Sequence, residues 1–132
     1  MKHPKHLFDT LRPVTPEDYA EINTWLKARG ASGLRPDLVP PQGFIAPGVA
    51  CGFMITTNTG VGILEHFVTN PEAPKALRSQ ALERIAEMLI NAGQITGMKM
   101  FLALTGSDRV KQLCTLNGFS PLPKMEVWVR GS

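Results

Sequence analysis

Three consecutive segments in the middle of the chain restrict its fold more than anything else in the sequence. Val61 to Thr69 is rich in β-branched and aromatic residues, and Asn70-Pro71-Glu72-Ala73-Pro74 halts it. Leu77, Ala81, Leu82, Ile85, Met88, Leu89 and Ala92 then line one face of a helix over residues 75–92. Arg78, Glu83, Arg84 and Glu87 lie off that face, and Gly93 supplies a stop. Met98 to Leu104 follows as another apolar strand. Strand, crossover helix and strand in this order demand a parallel pair joined by a right-handed connection. All-helical and purely antiparallel folds are thereby excluded, and the class is α/β or α+β with a mixed sheet.

The flanking segments complete that sheet. Leu7 to Val14 reads as a short first strand. Thr15-Pro16-Glu17-Asp18 gives a capping threonine, a proline at the first helical position and a carboxylate three residues after the cap. Tyr19, Ile22, Trp25 and Leu26 recur at helical spacing until Gly30. Residues 30–43 hold three prolines and no period, which predicts an exposed, shaped loop of the kind that often meets partners. Strands are predicted over 43–46 and 49–57, with Asn58-Thr59-Gly60 turning the second into Val61–Thr69. Ser107 caps a short helix running to Asn117, Gly118 terminates it, and Met125 to Arg130 is a closing strand.

At 132 residues and 14.4 kDa the chain is expected to form one domain, 1–132. A chain of this size can bury about 68% of its unfolded surface. Its 43% hydrophobic content suffices for that without disulfides or a structural metal. Fourteen Lys and Arg against eleven Asp and Glu give a net charge of +3 with no basic cluster, so a nucleic-acid partner is not expected. Cys51 and Cys114 stand far apart with no CxxC, which suits reduced thiols in the cytoplasm. No apolar run approaches the ~18 residues of a membrane span, and no apolar signal core follows Met1-Lys2-His3-Pro4-Lys5-His6. His3 and His6 sit on that basic terminus, where solvation is a simpler reading than metal ligation, so no metal site is expected.

The element order, with the residues between Val61 and Phe119, resembles the GNAT superfamily of acetyl-coenzyme-A-dependent N-acyltransferases. Val-Gly-Ile-Leu-Glu-His-Phe-Val-Thr-Asn-Pro at 61–71 looks like that family's fourth strand, and Arg78-Ser-Gln-Ala-Leu-Glu looks like its pyrophosphate loop and helix start. Leu116-Asn-Gly-Phe119 looks like its terminal Gly-Phe signature. Gly43-Phe44-Ile45, the Gly-Phe-Met-Ile-Thr-Thr-Asn hairpin and the Asn70-Pro71 break look most like small acetyltransferase-like proteins of tailed bacteriophages and prophages. The resemblance implies a single GNAT-like domain, a central mixed sheet with helices on both faces, and acetyl-CoA as co-substrate. It implies that Phe67, Val68 and Thr69 offer backbone groups to pantetheine and the thioester carbonyl. Arg78, Ser79, Gln80, Ala81 and Leu82 would meet the pyrophosphate, because a helix N-terminus concentrates unpaired N–H groups and positive dipole. The same helix can also be read simply as an amphipathic cover for the sheet.

Three positions depart from the family pattern. The first glycine of the loop is Ala81, and the second small position is Glu83, a carboxylate that would repel a diphosphate unless it points away. The frequent general-acid tyrosine is replaced by Cys114, which could donate to a leaving thiolate or be a buried, inert thiol. Glu65, on the fourth strand among Ile63, Leu64, Phe67 and Val68, is the candidate general base, with a cross-strand structural role as the alternative. Strand alternation sends His66 to the opposite face; in another register His66 takes the place of Glu65. The expected function is transfer of an acetyl group from acetyl-CoA to an amine, borne by a small molecule or a protein and lying against residues 30–43 and the strands over 44–57. The chain would act as a monomer or homodimer. The alternative is a catalytically silent protein of the same fold that acts by binding, such as a phage accessory or virion component.

Overall fold

The computed structural model describes residues 10–104, 108–122, 128, 130 and 131. Among these residues five strands form one sheet in the order β1 to β5: Arg12–Pro13, Gln42–Ala46, Ala50–Thr56, Val61–Thr69 and Met100–Ala103. β1 to β4 are antiparallel to their neighbours, and β4 pairs parallel with β5, as the crossover requires. Helix α1 spans Tyr19–Ala28, α2 Lys75–Ile95 and α3 Asp108–Leu116. β1 is shorter than predicted over the described residues; Pro13 can donate no backbone hydrogen bond, which suits a strand at the sheet edge. Ser107 and most of the closing strand expected over 125–130 lie outside the described residues.

Helices cover both faces. On one, Ile22, Trp25 and Leu26 of α1 pack with Ile45, Cys51, Phe53 and Val68. On the other, Ala81, Leu82, Ile85 and Leu89 of α2 pack with Ala46, Ala50, Met54 and Leu64. Ile22, Ile45, Ile85 and Leu89 are fully buried, each worth about 1.5–3 kcal/mol of transfer free energy. The 30–43 segment is mostly exposed but pinned. Leu34 enters the α1 core, and its N–H donates to Asn23 Oδ1 at 2.7 Å.

Before α1, Pro16–Asp18 forms a 3-10 turn rather than the first turn of the α-helix. The carboxylate of Asp18 accepts the Thr15 N–H at 2.8 Å and both terminal nitrogens of Arg12, at 2.8 and 2.6 Å. All three helices end on a left-handed glycine, at Gly30, Gly97 and Gly118. In α2 the Met98 N–H donates to Gly93 O and the Gly97 N–H to Gln94 O, which closes the last carbonyls of the helix. Gly93 is therefore inside α2 and does not stop it. A Cβ there would lie 2.6 Å from the Phe101 ring, so the glycine serves the contact between helix and β5.

Candidate functional site

The site grows from the place where β4 leaves β5. Their pairing ends at Leu64 and Ala103, with a final bond from the Leu104 N–H to Leu64 O, while β4 runs on to Thr69. The stretch 65–69 thus has no strand partner on that edge among the described residues. On its other edge, Cys51 faces Val68 and Phe53 faces Glu65, so Gly52 alone stands opposite both His66 and Phe67. This is a β-bulge, with His66 at φ 53°. A side chain held in the left-handed region costs about 1–3 kcal/mol, and such strain collects at functional sites. The Phe67 ring fills the opposite gap, since a Cβ on Gly52 would lie 2.8 Å from it.

The bulge overrides the alternation expected for this strand. Instead of facing away from Glu65, His66 brings Nε2 to 3.5 Å from Glu65 Oε1 and stands edge-on to the Phe53 ring, with centroids 6.2 Å apart. Glu65 is the more enclosed of the two, at 21% side-chain exposure against 40% for His66. Both line a cavity of about 220 Å³ in the mouth between β4 and β5, together with Cys114 and Asn117 of α3 and its C-terminus. Leu64, Leu104, Leu113 and Phe119 supply apolar wall. The Leu-Asn-Gly-Phe run has a structural reason here: left-handed Gly118 lets the Phe119 N–H donate to Cys114 O at 2.9 Å, folding Phe119 back onto the cavity. Burial raises the Cys114 thiol above the ordinary thiol range, and burial also pushes up the thiol of Cys51, which is fully enclosed in the core.

A second cavity, about 480 Å³, shares Phe67 and Val110 with the first and opens at the N-terminus of α2. Arg29, Lys75 and Arg78 line it, with Ser79, Thr69 and Val68, and no carboxylate does so among the described residues. Helix α2 starts at Lys75, and its first backbone bond runs from the Arg78 N–H to Pro74 O. The N–H groups left without intrahelical partners are therefore those of Lys75, Ala76 and Leu77. Those of Ser79 to Leu82 are within the helix, so Arg78, Ser79 and Leu82 reach the cavity by side chain only. Ala81 is buried against the sheet, and Gln80 buries Oε1 without a partner. Glu83 is exposed and lines neither cavity, which removes the repulsion its charge would otherwise bring.

These residues fit the anionic half of an acyl-CoA. Arg78 Nε is buried with no hydrogen-bond partner, an unmet donor beside two further cations and a helix N-terminus with no acidic residue in its first turn. Sequence reasoning does not reach Arg29 or Lys75, and it reaches Asn117 only as part of the Leu116–Phe119 run. Arg29 has no local signature, because its role comes from reaching across 40 residues to donate to Thr69 Oγ1 at 2.7 Å. Lys75 could have been found from Pro74, which fixes the helix start. Among the described residues, no three His, Cys, Asp or Glu side chains are grouped to hold a metal ion, and no helix is long and apolar enough to cross a membrane.

No protein-family model and no curated protein matches the chain. Solved structures do. A protein of Thermus thermophilus superposes with a TM-score of 0.72 at 14% identity, covering 92% of this chain and 98% of that one. An acetyltransferase of Trypanosoma brucei gives 0.65 at 12% identity, over 90% and 98% of the two chains. A Klebsiella pneumoniae protein assigned as an acyl-CoA N-acyltransferase gives 0.63 at 19% identity, over 90% and 88%. At these identities the likeness shows the fold alone: the chain has a GNAT-like architecture.

Proposed function

We propose that the chain is an acyltransferase that moves an acetyl group from acetyl-CoA to an amine. The observation that carries the reading is the pair of adjoining cavities, one cation-lined at the start of α2 and one apolar with Glu65 on its wall. They adjoin where β4 has left β5, as the fold of acyl-CoA-dependent enzymes would use them. Bound acetyl-CoA would supply an activated thioester carbonyl. Arg29, Lys75 and Arg78, with the free N–H groups of Lys75 to Leu77, would neutralise and orient its diphosphate. Backbone groups of Phe67, Val68 and Thr69 on the unpaired edge would hold the pantetheine arm and the carbonyl oxygen.

Glu65 would take the proton that the acceptor nitrogen must lose before it attacks. Cys114, at the position of the usual general acid, is a neutral thiol whose S–H can face the departing sulfur. Its raised pKa makes it a poor acid, so it serves packing and orientation better than full proton transfer. The acceptor amine, on a small molecule or a protein, would enter beside residues 30–43. Two unpaired cysteines suit a reducing compartment, and on that ground we place the protein in the cytoplasm.

Calorimetry with acetyl-CoA tests the reading. Binding is expected, and Arg78→Glu should weaken it at least tenfold. No binding at millimolar acetyl-CoA would sink the acyltransferase. Binding without thioester loss across a panel of amines would favour instead a silent protein of this fold, including a phage accessory component.

A further inference from the structure

The acyltransferase reading leaves unanswered where the proton goes once Glu65 has taken it. Glu65 is the more enclosed member of the pair, and the remaining described lining of its cavity is apolar except for Cys114 and Asn117. A carboxyl that stays protonated there cannot serve a second turnover. His66 is placed to reset it. The bulge turns its ring to the Glu65 side, Nε2 stands 3.5 Å from Glu65 Oε1, and the ring keeps 40% of its side-chain surface in solvent. The edge-on contact with Phe53, itself 1% exposed, holds the ring from behind.

We propose that His66 is the proton exit of this site, relaying to solvent the proton that Glu65 takes from the acceptor amine. This rests on the acyltransferase reading and deepens it. The steps balance: the ammonium of the acceptor gives its proton to the Glu65 carboxylate; neutral Glu65 gives it to His66 Nε2, restoring the carboxylate; the imidazolium releases it to water or buffer. The distance is slightly long for a direct hydrogen bond and closes by a small side-chain rotation.

The groups around the ring leave this route uncontested. From β3 come Phe53 and Cys51, whose thiol lies 3.9 Å from the His66 carbonyl oxygen and is held neutral by burial. From α3 comes Cys114, also held toward the neutral thiol by burial, while α2 and β5 contribute Ala86 and Ala103 to the cavity. Glu65 is the one carboxylate among the described residues lining it. The left-handed backbone at His66 is what puts base and exit side by side on a strand that would otherwise separate them.

The test uses His66→Gly, which keeps the positive φ and opens room for a small base, with His66→Asn as a second variant that also tolerates that backbone. In dilute buffer both should lose about tenfold in kcat for acetyl transfer, with the KM for acetyl-CoA unchanged. Added imidazole should restore His66→Gly toward the wild-type rate and leave the wild type unaffected. An unchanged kcat in both variants, or a loss that imidazole does not restore, overturns the relay while the acyltransferase stands. Failure of the wild type to bind acetyl-CoA overturns the acyltransferase and the relay with it.

Discussion

At the residue scale, the chemistry of the first cavity depends on which side chains stay neutral. Cys114 lines the same wall as Glu65, and burial raises its thiol above the ordinary range, so little thiolate exists near neutral pH. Alkylation of Cys114 by iodoacetamide is therefore expected to be slow at pH 7, to accelerate as pH rises, and to be suppressed by acetyl-CoA occupying the adjoining space. Cys51, fully buried, should not react in the folded protein. Peptide mass spectrometry reads both, and rapid alkylation at pH 7 unaffected by acetyl-CoA would contradict the placement. The sequence offers Glu65 and Cys114 as candidates, Glu65 from its place on an apolar strand and Cys114 from the resemblance, while strand alternation sends His66 away from Glu65, where the bulge brings it back. A histidine carries no local mark of a left-handed backbone. The bulge is set up on the neighbouring strand, where Gly52 yields its side-chain space to Phe67.

Elements were legible where a local rule sufficed. The stripe over 75–92, the Asn58-Thr59-Gly60 turn and the glycines after α1 and α3 each act within a few residues. Gly93 misled because a stop signal and a close packing contact are the same letter, and only the Phe101 ring distinguishes them. The capping sequence before α1 was legible as Thr15 and Asp18, but its strongest member was not: Arg12 arrives from β1 and clamps Asp18 with two bonds. Those bonds hold the Asp18 carboxyl below the usual carboxylate range, first through Arg12 and then through the Thr15 N–H against the opposing effect of burial. A carboxylate whose folded pKa is depressed adds stability above its unfolded pKa and loses it as pH falls through the folded one. Asp18→Asn is thus expected to cost about 1–2 kcal/mol at pH 7, on the scale of a lost cap. The deficit should shrink toward zero as pH drops below the folded value. Urea unfolding of both proteins at pH 7 and pH 2.5 measures this, and a deficit independent of pH would assign the effect to packing.

Across the whole molecule, a small net charge conceals an uneven distribution. The total is only +3, yet Arg29, Lys75 and Arg78 converge on one cavity without a carboxylate on its described lining. They come from two distant parts of the chain: Arg29 follows the end of α1, while Lys75 and Arg78 stand at the start of α2. No sequence window could show Arg29 joining Lys75 and Arg78, because only the sheet order brings the end of α1 over the end of β4, where Arg29 meets Thr69. A ligand held there links α1, β4 and α2, so its binding should stabilise the fold as a unit. At 100 times its Kd, acetyl-CoA would add about 2.7 kcal/mol, enough to raise the Tm by several degrees. Because the cations are partly open to solvent, screening should weaken the interaction as the Debye length falls from about 10 Å at 0.1 M salt to about 3 Å at 1 M. Differential scanning fluorimetry should therefore show an acetyl-CoA-dependent rise that shrinks with salt and is smaller in Arg29→Ala. A rise insensitive to both would mean that the ligand is held by the apolar cavity, with its diphosphate away from the start of α2.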